Sequence, residues 1–579
     1  MPEGEIGGST GAARSDGWRG GMSRRKVLRG IAAGVGAAAT STLAVGRNST
    51  ASAEPNSMVN VLDFGVTGDG VTDDHDAIQA VVTATGGARP IYFPAGRYRI
   101  GTTGAPDANR ITMPTATHLS FANGAVVEVN AIDNQLGSAI FFAAGSDGTK
   151  TRLTAAAEAG NHSVLLPPGE SAKLLVGDII GFESQGLAGD YGARPWHVRE
   201  FHSVASTDAT TVYLDGPLEY SYRPPDSAVF WRITTTDDII IDGAVFECGP
   251  GVKAGTDGSF PIRLQKVKNF QLKNVQIRDM IGGIAIYDSY NGHISSCTID
   301  GLPFYSSSFG YGLMIGGSSA RIRVDDLHGS NTRHLFTTVA EERGSGPQDA
   351  TFWGGPIQVQ VNNGVGYGAP NGWAIWDTHE FGRHIEFNNC HAFDGGAAVV
   401  GFQMRAQDVT LNNCSALRNG ARGVALTERS KRVSIVGGEF GFSGSEGMAV
   451  SGESHQIMGA YVHDCVGAGI AIANSADALI QTCSIANNLY GVQDGGAKGS
   501  ANARIKDCVI PYSPKQTISI LNLGTSAVAD NLLCLGYESM GGLWNSATSA
   551  WGAPSGATYS IMTSNGWISS SPPPTTTPR

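Results

Sequence analysis

A short unit that repeats along the second half of the chain constrains the fold more than any other feature. From Trp373 to Phe393 the sequence holds an apolar run, Ala374–Trp376, and then a polar turn, Asp377–Arg383. An alternating run, His384–Phe387, follows and ends in Asn388-Asn389-Cys390. The unit returns as Phe402–Arg405 before Val409–Cys414, and as Ala471–Asn474 before Leu479–Cys483. Its first apolar positions, 374, 402, 425, 449, 471 and 491, step by 28, 23, 24, 22 and 20 residues. Short β-rich runs bounded by turn residues, repeated at this period without helical spacing, predict an all-β parallel solenoid. One coil cannot bury its own apolar face, so coils stack and share a single interior.

Composition agrees. Glycine is 79 of 579 residues, which suits a chain that turns several times per coil, and charged residues are only 16% against 41% hydrophobic. That balance excludes a disordered chain. The gaps between the eight cysteines (49, 93, 24, 51, 18, 25 and 26) lie near multiples of the coil period. With no Cys-x-x-Cys and no zinc-like spacing, they read as small buried thiols stacked in one interior column.

The chain opens with Ser23-Arg24-Arg25-Lys26-Val27-Leu28, an Ala/Gly-rich apolar stretch and Ala51-Ser52-Ala53. This is the pattern of a twin-arginine export signal over residues 1–53, and it predicts a secreted, extracellular protein. Without those residues, 33 basic side chains face 48 acidic ones, a net charge of −15. So acidic a body argues against nucleic acid and anionic membranes as partners, and no later segment has the ~18 apolar residues of a membrane span.

Residues 59–79 run from Val59-Asn-Val-Leu-Asp-Phe through Gly65–Gly70 to Thr72, Asp73, Asp74 and Asp76. They predict a strand at Val61–Phe64, a glycine-rich turn, and a helix with Thr72 as N-cap and acids in its first turn. Ile91–Tyr98, with Tyr-Phe-Pro-Ala-Gly, returns as a strand. The aspartates read as caps and turn-makers.

This block resembles the opening segment of the pectate-lyase superfamily, in the subgroup of rhamnogalacturonase- and epimerase-like domains, exo-1,3-glucanases and phage tailspikes. The resemblance covers residues 59–100. It implies a right-handed, single-stranded parallel β-helix plugged by the short helix, while a polysaccharide substrate is expected from the charges gathered around one turn line of the later coils. The polygalacturonase pattern is not met: Asp325-Asp326 and Arg504-Ile-Lys506 are present without the remaining motifs. No metal or other cofactor is assigned, because calcium has no ligand cluster in the sequence. Monomer and trimer both stay open.

The chain then divides into a cap with first coils (54–149), a β insertion (150–225), the β-helix body (226–541), and a C-terminal cap with a Ser/Pro/Thr-rich tail (542–579). A second interruption, from His334 to Gly372, holds Glu341-Glu342-Arg343 and Trp353. Long loops on a solenoid gather on its binding face. Trp353, Trp376, Tyr305 and Tyr311 are candidate surfaces for stacking on sugars.

Aligning the coils places Asp288, Asp377, Arg405 and Glu428 in one turn column, with His379, Glu380 and His334 beside the longest turn and Arg333 before the loop. The residues favour a glycoside hydrolase, with Asp377, Glu428, His379 and His334 as catalytic candidates. Arg405, Arg333, Glu380, Asp288, Trp353 and Trp376 are the substrate-binding candidates. With coils ~4.8 Å apart, Asp377 and Glu428 would lie roughly 9–10 Å apart, near the inverting range. Two alternatives remain open: a lyase or epimerase acting on a uronic-acid polymer through His334, His379 and Arg405, and a non-catalytic glycan-binding protein.

Overall fold

The computed structural model describes residues 58–569, apart from 102–108, 131–138, 192–193, 250–259, 303–309, 344–350, 496–501, 524–526, 538–541, 547, 553–557 and 564–565. The expected export signal, Tyr305 and the extreme C-terminal tail lie outside the described residues.

The repeating unit forms a parallel β-solenoid. A single coil runs through Ile357–Asn362 on one long sheet (sheet A), Val365–Gly368 on a second (sheet B) and Ala374–Thr378 on a third (sheet C). Arg383–Asn388 then resumes sheet A one coil on. The register is regular: Val359 pairs with Ile385 and Ile385 with Val409, all three inward, while Gln360, Glu386 and Thr410 face outward. Inward side chains from all three sheets merge into one buried cluster reaching from Val59 to Ile561.

The Asn-Asn pairs sit at the corner between sheets A and B. Asn363, Asn389 and Asn413 take φ of 55°, 52° and 51°. Asparagine tolerates this left-handed conformation better than most residues, which is why it punctuates each coil. Their amides also stack: Asn389 donates to Asn363 and Asn413 to Asn389, at 3.4 and 2.9 Å. The following cysteine turns inward. Cys297, Cys390, Cys414, Cys483 and Cys508 each precede an aligned position of sheet B and share one column, whereas Cys248, Cys465 and Cys534 sit elsewhere. All eight are free thiols.

At the N-terminal end, the helix His75–Thr85 buries Ile78, Val81 and Val82 against the first coils. Two local expectations need correction. Val61–Phe64 is a 3-10 turn, because the Asn60 side chain accepts the Leu62 N–H and Gly65 ends it at φ 89°. Thr72 lies in the strand Asp69–Asp73, and the helix N-cap position is Asp74. Asp74 is buried and ties the glycine-rich turn, accepting from the Thr67 N–H and hydroxyl and the Gly68 N–H.

The two interruptions build one structure. Ile179–Tyr191, Arg194–Thr207 and Val229–Thr234 form an antiparallel sheet. Thr351–Trp353 adds to it in parallel, pairing Trp196 with Phe352, and Glu341–Arg343 pairs in turn with Thr351–Trp353. This sheet packs against the outer corner between sheets C and A, where Ile179, Phe201, Trp231 and Ile233 meet Tyr290 and Ala320. Phe381, in the turn after Thr378, inserts beside Trp196 and Phe352.

Candidate functional site

Sheet C turns alternate side chains to its outer face, and on three successive coils one register position of that face is polar: Thr337, Asp377 and Gln403. Asp377 is in register with Gln403 and Ala425, two positions before Arg405 and three before Glu428, the residues that the sequence alignment put in its column. Its side chain still points outward, because Trp376 and Thr378 on either side align with the inward residues Phe402 and Met404. Yet Asp377 is 0% exposed. Arg405 reaches back from the next coil and places Nη2 2.8 and 2.9 Å from the two carboxylate oxygens. The Thr337 hydroxyl donates from the preceding coil at 2.8 Å. Burial alone would raise the Asp377 carboxyl, but the Arg405 charge outweighs it and holds the group well below the usual carboxylate range.

Two histidines flank this pair. His334 is buried, and its Nδ1 lies 2.8 Å from the Ala374 carbonyl. A carbonyl can only accept, so Nδ1 carries the proton and Nε2 is bare. His379 Nε2 lies 3.3 Å from Arg405 Nη2. An arginine can only donate, so in this contact Nε2 is the unprotonated acceptor, although the same atom also stands 3.4 Å from Asp377 Oδ2. Burial, then Arg405, depresses His379 to about 3. Burial, with Arg333 and Arg405 opposing Asp377, depresses His334 to about 4. Both rings are therefore neutral at ordinary pH. Tyr311 stacks on His334 with centroids 5.6 Å apart, and the Arg333 Nη1 donates to its hydroxyl at 2.9 Å.

Glu380 follows in the turn. It is buried, its Oε2 has no hydrogen-bond partner, and Arg429 Nη1 stands 3.8 Å from Oε1. Burial pushes its carboxyl above the ordinary value, against the opposing charge of Arg405.

The structure thus gathers Asp377, His379, His334, Arg405, Arg333 and Glu380 at one place on the outer face. It does not bring the other four candidates there. Glu428 is exposed in a turn and accepts from the Asn474 amide at 2.9 Å, so the coil alignment that paired it with Asp377 does not hold. Asp288 is buried in an ion pair with Arg199, whose two terminal nitrogens lie 2.8 and 3.1 Å from its oxygens. It anchors the insertion. Trp376 is a core residue packed on Phe387 and Phe402, and its indole N–H donates to the His391 carbonyl. Trp353 is buried beneath Arg343 and beside His197. Neither ring offers a face to a sugar. Thr337 was missed, since the interruption after His334 hides which residue precedes Asp377 in the register. Among the described residues, no group of three or more His, Cys, Asp or Glu side chains is arranged to hold a metal.

The comparisons with known proteins fit this architecture. Residues 58–109 match the family model "Rhamnogalacturonase A/epimerase, pectate lyase-like", and residues 261–440 and 400–534 match "Right handed beta helix region". A capsule K1-specific depolymerase of Klebsiella phage K64-1 is 30% identical over 431 residues, which is 69% of this chain. The chain spans only 44% of that relative's length. Mannuronan C5-epimerase AlgE4 of Azotobacter vinelandii is 37% identical over 76 residues, 13% of this chain and 14% of the epimerase. Among solved structures, the tailspike gp49 of Pseudomonas phage LKA1 superposes with a TM-score of 0.54 at 14% identity, covering 87% of this chain and 84% of its own. That likeness concerns the fold. The chain is thus a right-handed parallel β-helix with a pectate-lyase-like opening segment, similar in sequence to a phage capsule depolymerase and, over 76 residues, to mannuronan C5-epimerases.

Proposed function

We propose that this protein acts on a uronic-acid-containing polysaccharide by removing the proton next to the sugar carboxylate, as a lyase or epimerase. The observation that carries this reading is the pair of neutral histidines with bare Nε2 atoms beside a carboxylate already held by arginine. Asp377, fixed as an anion, is unsuited to deliver a proton. Arg405 and Arg333 supply positive charge for a substrate carboxylate. A bound carboxylate would offset the field that depresses His379 and His334 and so raise their basicity when substrate is in place. His379, with 17% of its side chain exposed, is the ring that solvent reaches. It is the better base, and His334 with Tyr311 lines the same wall.

The names of the relatives support a polysaccharide substrate: one is a capsule depolymerase, others are mannuronan epimerases, and another is called alginate lyase 7. A glycoside hydrolase is the second reading. It is favoured by the buried carboxyl of Glu380, whose hold on a proton burial strengthens, as a candidate acid opposite the ionised Asp377. The products separate the readings. Incubation with uronate polymers, followed for unsaturated-uronate absorbance and reducing ends, gives both for a lyase and reducing ends alone for a hydrolase. In deuterated water an epimerase instead incorporates deuterium at C5 without cleavage. Hydrolysis without absorbance would remove the proton-abstraction reading.

Export through the twin-arginine route is part of the same proposal. Changing Arg24 and Arg25 to Lys should retain the protein in the cytoplasm, and normal secretion of that variant would refute the assignment.

A further inference from the structure

The two tryptophans of this region that the sequence offered for sugar stacking are buried, at 6% for Trp353 and 0% for Trp376. A third, Trp373, is 45% exposed. It immediately precedes the strand Ala374–Thr378 that carries Asp377, at the corner where the chain passes from sheet B to sheet C. Its backbone is hydrogen-bonded to the coils on both sides: its N–H donates to the Arg333 carbonyl at 3.4 Å, and its carbonyl accepts the Val400 N–H at 3.0 Å. Residue 373 therefore lies at the sheet B end of the strand, opposite the insertion, one coil from the arginine that bonds Tyr311. Trp373 and Asp377 are four residues apart, which on an extended strand is ~13 Å. The strand between them contributes Ala374 to a small apolar cluster with Val400 and Ala425 outside the main core. The two bulky residues between Trp373 and Asp377, Ile375 and Trp376, belong to the main core.

We propose that Trp373 is the stacking platform of a neighbouring sugar subsite, holding the apolar C–H face of a residue next to the one that meets His379 and Arg405. An aromatic ring beside a polar centre gives such a sugar a large contact at little cost in side-chain entropy. The inference rests on the polysaccharide reading of the site. It makes Trp373 a binding residue for the polymer and leaves the proton-transfer groups untouched. A substrate of one or two sugars cannot engage both places at once, so the platform acts on longer chains.

The test uses the full-length protein with Trp373→Ala and Trp373→Phe, and polymannuronate, polygalacturonate and a glucuronate-containing capsular polysaccharide as probes. Affinity electrophoresis in gels cast with each polymer reads binding without turnover, and kinetics on polymer and on disaccharide read the rest. The expected result is retardation of the wild type by at least one polymer, most of it lost in Trp373→Ala and largely kept in Trp373→Phe. KM for the polymer should rise about tenfold in Trp373→Ala with kcat within a factor of two, and disaccharide kinetics should not change. Unchanged retardation and KM in Trp373→Ala, or equal loss in both variants, overturns the inference while leaving the proposed chemistry standing. So does a wild type that no polymer retards. Retardation that depends on Trp373 without any uronate product instead sinks the proposed chemistry and keeps the platform.

Discussion

Arg405 closes on Asp377 from the next coil, with one guanidinium nitrogen within 2.9 Å of both carboxylate oxygens, and the two form an ion pair whose acid is wholly buried on the outer face of the solenoid. Burying a carboxylate there is tolerable only because the guanidinium and the Thr337 hydroxyl satisfy it. Removing one partner strands the other. Asp377→Ala should lower stability by about 3 kcal/mol and abolish activity. Asp377→Asn should keep the shape yet lose about 100-fold in rate. A double variant, Asp377→Asn with Arg405→Met, should be less destabilised than the sum of its parts. Thermal midpoints and turnover of these variants, of the single variant Arg405→Met and of the wild type check this, and strict additivity would show that the pair is not coupled.

The histidines give the pH dependence a definite sign. His334 and His379 are depressed to about 4 and about 3 when folded, against 6.5 unfolded. Between those values the unfolded chain binds more protons, so stability falls as pH drops from about 6.5 toward 4. His202 works the other way. Burial lowers its pKa, but Asp215 and Glu200 outweigh that and raise it to about 9. Its contribution is complete below 6.5 and is lost as pH climbs through 9. The thermal midpoint should therefore peak near pH 6.5, and His202→Gln should flatten the alkaline limb alone. Because both site histidines are already neutral at pH 6, kcat/KM should show no break near 6.5.

Arg199 holds the insertion to the solenoid. Its fully buried guanidinium meets Asp288 on the corner and Glu341, at 2.7 Å, on the second interruption. Arg199→Ala should cost about 3–5 kcal/mol, because it leaves Asp288 buried with only the Lys266 ammonium, 3.9 Å away, to offset its charge. The paired change to Arg199→Met with Asp288→Leu should recover part of that. Limited proteolysis should cut the single variant first within residues 146–234. Wild-type protease resistance in Arg199→Ala would show that the apolar seam alone seats the insertion.

The thiols provide a simpler check. All eight are free and seven are buried. A thiol reagent should modify Cys248 first and the remainder only on unfolding, and reductant should not shift the thermal midpoint. A midpoint that falls with reductant would reveal a disulfide and contradict the ladder.

The coil repeat made the solenoid legible because its causes are local: an apolar run that must be covered, and Asn, Asp or Gly wherever the backbone turns left-handed. Asn363, Asn389 and Asn413 show this residue by residue. The cysteine column was partly legible for the same reason. The opening aspartates were rightly read as turn-makers, although Asp74 serves the loop before the helix and does not cap it. In the site, the sequence drew together Asp377, His379, Glu380 and Arg405 because one long turn and its successor coil carry them. Tertiary structure decided the rest. Whether a side chain on a coil faces core, partner or solvent depends on a register that loops of unequal length obscure, and a slip of three residues separated Asp377 from Glu428. Trp376 went to the core because it pairs with Phe402, Trp353 because the two interruptions join one sheet, and Asp288 because Arg199 arrives from 89 residues upstream. The neutral state of the histidines likewise arises from burial and from a neighbouring guanidinium, neither of which is written in local sequence.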